Sequence, residues 1–198
     1  MGQRLFILVC AVALLVLVPR GAQAEMLRHD ITPATAKISF SADYLSFLET
    51  EGGFTRFSGW FETDPDALDA TRAELVIESA SLFSTEPDWQ EDLEGTDFFN
   101  VREFREIRFV AVRVTREREG KGLLEGRITI RGITRMIRFD LTYAIELQAD
   151  GHRRISRIEA TGRIDRRQFG MTAWGLVLSD EVEIRIVVEP EVQPSIRD

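Results

Sequence analysis

Two histidines and one cysteine are all that the 198-residue chain offers to imidazole or thiol chemistry: His29, His152 and Cys10. A metal ion is held by three or four converging donors, and a nucleophile needs an oriented base beside it. His29 stands near the N-terminus and His152 in a turn, neither with a second histidine or cysteine at ligand spacing. Neither a metal site nor a Ser-His-Asp triad is therefore expected. Aspartate and glutamate total 33, so a hydrolase built on two carboxylates stays open on composition alone. No pair is marked out by its neighbours, and no enzyme activity is expected. The run GKG at Gly120–Gly122 lacks the strand-to-helix setting of a phosphate loop. The basic run HRRISR, His152–Arg157, suits either an anionic head group at the mouth of a cavity or a solvated turn. No cofactor is implied.

Aromatic rings take the place of reactive groups. DFFNVREFREIRF, Asp97–Phe109, brings Phe98, Phe99, Phe104 and Phe109 together, and FGMTAWGLVLSD, Phe169–Asp180, adds Phe169, Met171 and Trp174. Both stretches are too apolar for solvated loops, and the second is longer than a plain hairpin requires. Their chemistry is that of a greasy wall: large, flat area for apolar burial, with methionine adapting to an irregular partner.

The elements that must position these rings show period-two alternation. It is clearest from Ile137 to Leu147, where Ile137, Phe139, Leu141, Tyr143, Ile145 and Leu147 alternate with Arg138, Asp140, Thr142 and Glu146, so the odd positions should face an interior. Similar runs include Ile38 and Phe40; Phe57, Gly59 and Phe61; Leu75 and Ile77; Ile107 and Phe109; Ile128 and Ile130; Ile158 to Ile164; and Val182 to Val188. Eight strands result. Glycine-bearing turns at Glu117–Gly122, Arg131–Thr134 and Ala149–His152, with a longer loop around Pro65, make neighbours antiparallel. Pro87 and Asp88 can start a short helix, and apolar residues on both faces of FVAV, Phe109–Val112, suggest a bulge. Eight strands with one apolar face each must close on themselves or pair as a sandwich. A barrel is favoured, with an interior able to hold side chains or one ligand.

At the N-terminus, Arg4, an apolar run from Leu5 to Val18, and Ala22 and Ala24 around Gln23 read as a signal peptide, residues 1–24, cleaved before Glu25. The apolar run is short for a bilayer span. Cleavage removes Cys10, which excludes disulfides and thiolate sites from the mature domain of residues 25–198. It also removes Arg4 and Arg20 from the 25 basic residues, leaving 23 against 33 acidic ones, a net charge of −10. Nucleic acid, with its repelling phosphates, is not an expected partner.

TDFFNVREFREIRF, GRITIRGITRMIRF and IDRRQFGMTAWGLVLSDEVEIRI resemble, in order and spacing, the signatures of the YceI-like family of secreted bacterial proteins, and the resemblance runs from about Ile31 to Glu189. It implies an all-β, eight-stranded antiparallel lipocalin-like barrel with a short helical segment, holding a polyisoprenoid, a quinone-like molecule or another long-chain lipid. It also implies a periplasmic binding or carrier protein that touches membranes transiently during lipid exchange. Where many members have a histidine late in the first strand this chain has Tyr44, and where they have another before the aromatic motif it reads DWQEDLEG, so the head-group chemistry does not carry over.

On that reading the ligand is expected against Phe40, Tyr44, Phe57, Phe61, Leu75, Ile77, Phe98, Phe99, Phe109, Phe139, Leu141, Phe169, Met171 and Trp174. DFFNVREF should fold over one barrel end with Phe98 and Phe99 turned inward. The alternative is a non-catalytic structural or interaction protein whose barrel is filled by its own side chains. An outer-membrane barrel also alternates, but with its apolar face outward.

Overall fold

A computed structural model describes residues 26–148 and 151–190. The expected signal segment, Cys10 and the Ala24/Glu25 junction lie outside the described residues, as does part of the turn at Ala149–His152. Among the described residues eleven strands form one antiparallel sheet: β1 (Leu27–Ile31), β2 (Ala36–Tyr44), β3 (Leu48–Phe54), β4 (Phe57–Thr63), β5 (Arg72–Glu78), β6 (Leu82–Ser84), β7 (Glu106–Arg118), β8 (Lys121–Ile130), β9 (Ile133–Leu147), β10 (Arg153–Asp165) and β11 (Glu181–Val188). Their hydrogen-bonded order is β1-β4-β5-β7-β8-β9-β10-β11-β2-β3-β6. One short α-helix, α1 (Gln90–Glu94), follows a 3-10 turn at Pro87–Trp89.

The sheet is curled, and its strand count corrects the expected eight. The eight alternating runs are β2, β4, β5, β7, β8, β9, β10 and β11; the three additions are β1, β3 and β6. A bend is the physical reason for two of them. β3 runs into β4 through Thr55 and Arg56, and β5 into β6 through Ser79–Ser81, so the pairs β4–β5 and β3–β6 are successive halves of one bent ribbon. The ladder continues across the bend: Thr55 N–H donates to Ser81 O at 3.1 Å and Glu78 N–H to Arg56 O at 3.0 Å. Ser81 Oγ, buried in the corner, sits 2.7 Å from Glu78 O and 3.2 Å from Arg56 O. Because β3 lies near one end of the hydrogen-bonded order and β4 near the other, this corner brings the two ends of the sheet together and sets its curl.

β3 looks unlike a strand because of Gly52 and Gly53. A Cβ on Gly52 would stand 2.4 Å from Phe40 Cζ, and one on Gly53 would stand 2.9 Å from Phe83 Cε1. The two faces of this strand thus each receive a flat ring where a side chain would otherwise stand.

On β9, Ile137, Phe139, Leu141 and Tyr143 are buried and Arg138, Asp140 and Thr142 exposed, as alternation requires. The pattern outlasts the core: Leu147 is 73% exposed, since the strand projects past the residues that could cover it. A bulge does occur on β7, where the register against β8 shifts between Ala111 and Arg113. The outer face carries cross-strand ion pairs such as Arg113–Glu125 at 2.5 Å and Arg138–Glu125 at 3.1 Å; these two arginines hold the Glu125 carboxyl below its ordinary range. A charged exterior is the opposite of what a bilayer-spanning barrel presents. No helix among the described residues is long and apolar enough to cross a membrane.

Candidate functional site: an apolar interior under an aromatic roof

The inward faces of the strands enclose two apolar voids of about 100 Å³ each. The first lies under the DFFNVREF segment. It is lined by Phe40, Ile77, Phe98, Phe99, Phe139 and Met171, with Ile184 and Ile186 contributed by alternate positions of β11. The second lies toward the other end, among Phe61, Leu68, Leu141, Tyr143, Ile155 and Val188. Leu75, Phe109 and Ile186 line both.

Rings close the first void. Tyr44 meets Trp89 edge-on at 4.8 Å, Trp89 meets Trp174 at 5.1 Å, and Trp174 meets Phe98 at 5.2 Å. Beneath this row Phe99 packs on Phe54 at 5.8 Å and on Phe40 at 6.0 Å. Such tilted and edge-to-face pairs are worth about 0.5–1.5 kcal/mol each beyond simple burial. Phe98 is turned inward and Phe99 packs against the core, and the Arg131 guanidinium donates to Phe98 O, fastening the segment from outside.

The other half of the roof, the stretch after β10, is held by Arg166. This arginine is only 2% exposed. Its Nε donates to Ser179 O at 2.9 Å, Nη1 to Met171 O at 2.9 Å and Ala173 O at 2.6 Å, and Nη2 to Leu178 O at 3.0 Å. Asp180 Oδ1 stands 3.4 Å from Nη2. Burial works against the guanidinium charge, and Asp180 favours it. Four hydrogen bonds to backbone carbonyls and the neighbouring Asp180 carboxylate hold the guanidinium, so although Arg166 borders the first void, its charge is already balanced within the roof. The clamped stretch reaches back to β2: Leu45 N–H donates to Val177 O at 2.6 Å, and Ser179 N–H to Asp43 O at 2.8 Å.

Of the fourteen residues expected at the ligand, Phe40, Leu75, Ile77, Phe98, Phe99, Phe109, Phe139 and Met171 border the first void, and Phe61 and Leu141 the second. Tyr44 and Trp174 stand in the roof, while Phe57 and Phe169 are buried in the core and border neither void. Sequence reasoning missed Phe54, Trp89, Ile184, Ile186 and Arg166. The alternation of β11 pointed to the isoleucines; nothing in the sequence separated Arg166 from its exposed neighbour Arg167. Among the described residues no cluster of three or more His, Cys, Asp or Glu is placed to hold a metal ion. His152–Arg157 forms the end of a turn and the start of β10, where Arg153 pairs with Asp66 at 2.5 Å.

The sequence profile of the YceI-like domain matches residues 29–190. A UPF0312 protein of Vibrio vulnificus is 27% identical over 135 residues, which cover 68% of this chain and 71% of that protein. Among solved structures, BcnA of Burkholderia cenocepacia superposes with a TM-score of 0.70 at 22% identity, covering 80% of this chain and 98% of that one. A polyisoprenoid-binding domain from Saccharophagus degradans superposes with a TM-score of 0.58 at 13% identity, covering 85% and 100%. At these identities the two structures establish likeness of fold.

Proposed function

The chain belongs to the YceI-like domain family, a family of binding proteins, and from that premise we propose that its interior takes up the tail of a polyisoprenoid or another long-chain lipid. The observation that carries the proposal is the interior itself: two apolar voids end to end, the first roofed by rings, with Arg166, the one buried cation among the described residues, already held by backbone carbonyls. The polyisoprenoid-binding domain of Saccharophagus degradans, with the same curled sheet, supports that ligand class. Recognition then rests on the hydrocarbon rather than on a charged head. Burying ten methylenes yields about 8 kcal/mol at roughly 0.8 each, against several kcal/mol for association and ordering. Micromolar binding, about 8 kcal/mol net, therefore needs a tail longer than ten methylenes, and no polar contact.

Residues 25–198 would act in the periplasm as a carrier that exchanges lipid at a membrane. An apolar tip supports this. Leu45, Phe47 and Leu48 stand exposed at the β2–β3 turn, Phe47 by 76%, and Leu176 is fully exposed on the neighbouring stretch. They share the roofed end of the molecule. Exposed Asp43, Glu49, Glu51 and Asp88 surround them, which favours a zwitterionic bilayer over an anionic one.

One observation favours the alternative of a side-chain-filled structural or interaction protein: each void, as it stands, is smaller than the roughly 150 Å³ apolar cavity that admits benzene. Mass spectrometry of lipids released from protein purified without detergent or denaturant separates the two. Stoichiometric long-chain lipid supports the carrier; its absence, together with failure of added prenyl lipids to bind, selects the filled core.

A further inference from the structure

A prenyl chain longer than about one isoprene unit overfills either void alone, by the comparison with a benzene-sized cavity. The partition between the voids therefore decides what the interior can hold, and Phe109 is its centre. Phe109 pairs directly with Leu75 across β5 and β7, and Ile186 on β11 is the third residue that borders both voids. Its ring meets Phe139 edge-on at 5.6 Å. The ring is also laid against the wall of β8: a Cβ on Gly126 would stand 2.3 Å from both Cε2 and Cζ of Phe109. Gly126 is thus a recess, and any larger residue there must drive the ring elsewhere. Gly162 on β10 offers it no second recess, since that glycine is filled by Phe139, whose Cδ1 would stand 2.7 Å from a Cβ there.

We propose that Phe109, seated on Gly126, is the residue that sets the length of the bound chain: with Leu75 and Ile186 it forms the constriction through which a tail must pass from the first void into the second. This rests on the lipid-binding reading above. The ring lying in its recess keeps the constriction as wide as the side chain allows, and short movements of Leu75 and Ile186 join the voids when a tail enters. Reducing the ring to an aliphatic chain fuses them; filling the recess pushes the ring into the lumen and leaves only the first void open.

The test measures binding of geraniol, farnesol and geranylgeraniol, prenyl alcohols of two, three and four isoprene units, to delipidated wild type, Phe109→Leu and Gly126→Ala by tryptophan fluorescence. Each additional buried methylene is worth up to about fourfold in affinity. Phe109→Leu should therefore shift the preference toward the longest alcohol, with geranylgeraniol gaining tenfold or more relative to geraniol. Gly126→Ala should do the reverse, weakening geranylgeraniol more than farnesol and farnesol more than geraniol. If Gly126→Ala does not fold, the Phe109→Leu profile decides alone. Unchanged length preference in Phe109→Leu, with wild type binding all three, overturns the constriction and leaves the lipid reading intact. Failure of wild type to bind any of the three overturns both.

Discussion

Replacing Arg166 by methionine keeps an unbranched apolar stem, ends it near the position of Nε and removes five N–H donors from a buried site. Four backbone carbonyls lose their partner: Met171, Ala173, Leu178 and Ser179. The bonds to Met171 and Leu178 are buried, and an unsatisfied buried acceptor costs about 1–3 kcal/mol. The other two sit where water can reach and contribute little. Removing a desolvated cation gives part of this back, which leaves a net loss on the order of 2–4 kcal/mol. Arg166→Lys keeps the charge but has three donors in place of the planar fork of five, so it should recover only part of the loss. Equilibrium urea unfolding with an unchanged slope reads the difference in stability, and limited proteolysis reads whether cleavage concentrates between Phe169 and Asp180. A loss below about 1 kcal/mol for Arg166→Met, with no new cleavage in that stretch, would refute the clamp, because two buried carbonyls left without partners cannot be that cheap.

Phe139→Asp places a carboxylate against Phe109 and the apolar wall and should cost several kcal/mol or prevent folding; Arg138→Asp, one residue away on the outer face, should cost no more than about 1 kcal/mol. Equal tolerance of the two in thermal unfolding contradicts the assigned face. Burial first, and the nearby Arg154 second, hold His29 below its ordinary pKa. As pH falls below about 6.5 the unfolded chain binds the proton first, so stability should decline down to the folded value and level off there. Comparing wild type with His29→Gln between about pH 7 and about pH 5 isolates that contribution, since acid-sensitive carboxylates such as Glu125 and Asp165 are common to both; parallel curves remove His29 as the cause. Phe47→Asp combined with Leu176→Asp should abolish co-sedimentation with phosphatidylcholine vesicles while leaving farnesol binding in solution unchanged. Retained sedimentation would show that the apolar tip is not the membrane contact.

The wall of the interior was legible where one face of a strand is apolar and the other charged, as in β9 and β11. Three strands escaped for physical reasons. β6 is too short for a period to show. β1 is an edge strand whose alternate charges, Arg28 and Asp30, flank a histidine that stacks on Phe61 at 4.8 Å. In β3 the glycines that mark turns elsewhere are close-approach sites for Phe40 and Phe83. The aromatic stretches were legible as a closure because rings rarely cluster in solvated loops. Arg166 was not, since an arginine at a strand end carries no sequence mark that distinguishes a clamp on carbonyls from a solvated charge. The division of the interior into two voids depends on where a single ring comes to rest, which only packing decides.

The pairing of β2 with β11 also bears on the order of events during biosynthesis. Ile38 lies opposite Ile186 and Ala36 opposite Val188, so a strand made early in synthesis finds its neighbour only when nearly the whole domain has followed. Hairpins β7–β8, β8–β9 and β9–β10 can assemble from adjacent sequence, but the seam that joins them to β2 carries the largest loop-closure cost in the sheet. Until it forms, the edge of β2 and the apolar inner faces stay open to other chains. Closing this seam withdraws the most adhesive surface, so a chain delayed before it is the form most exposed to aggregation and to chaperone capture.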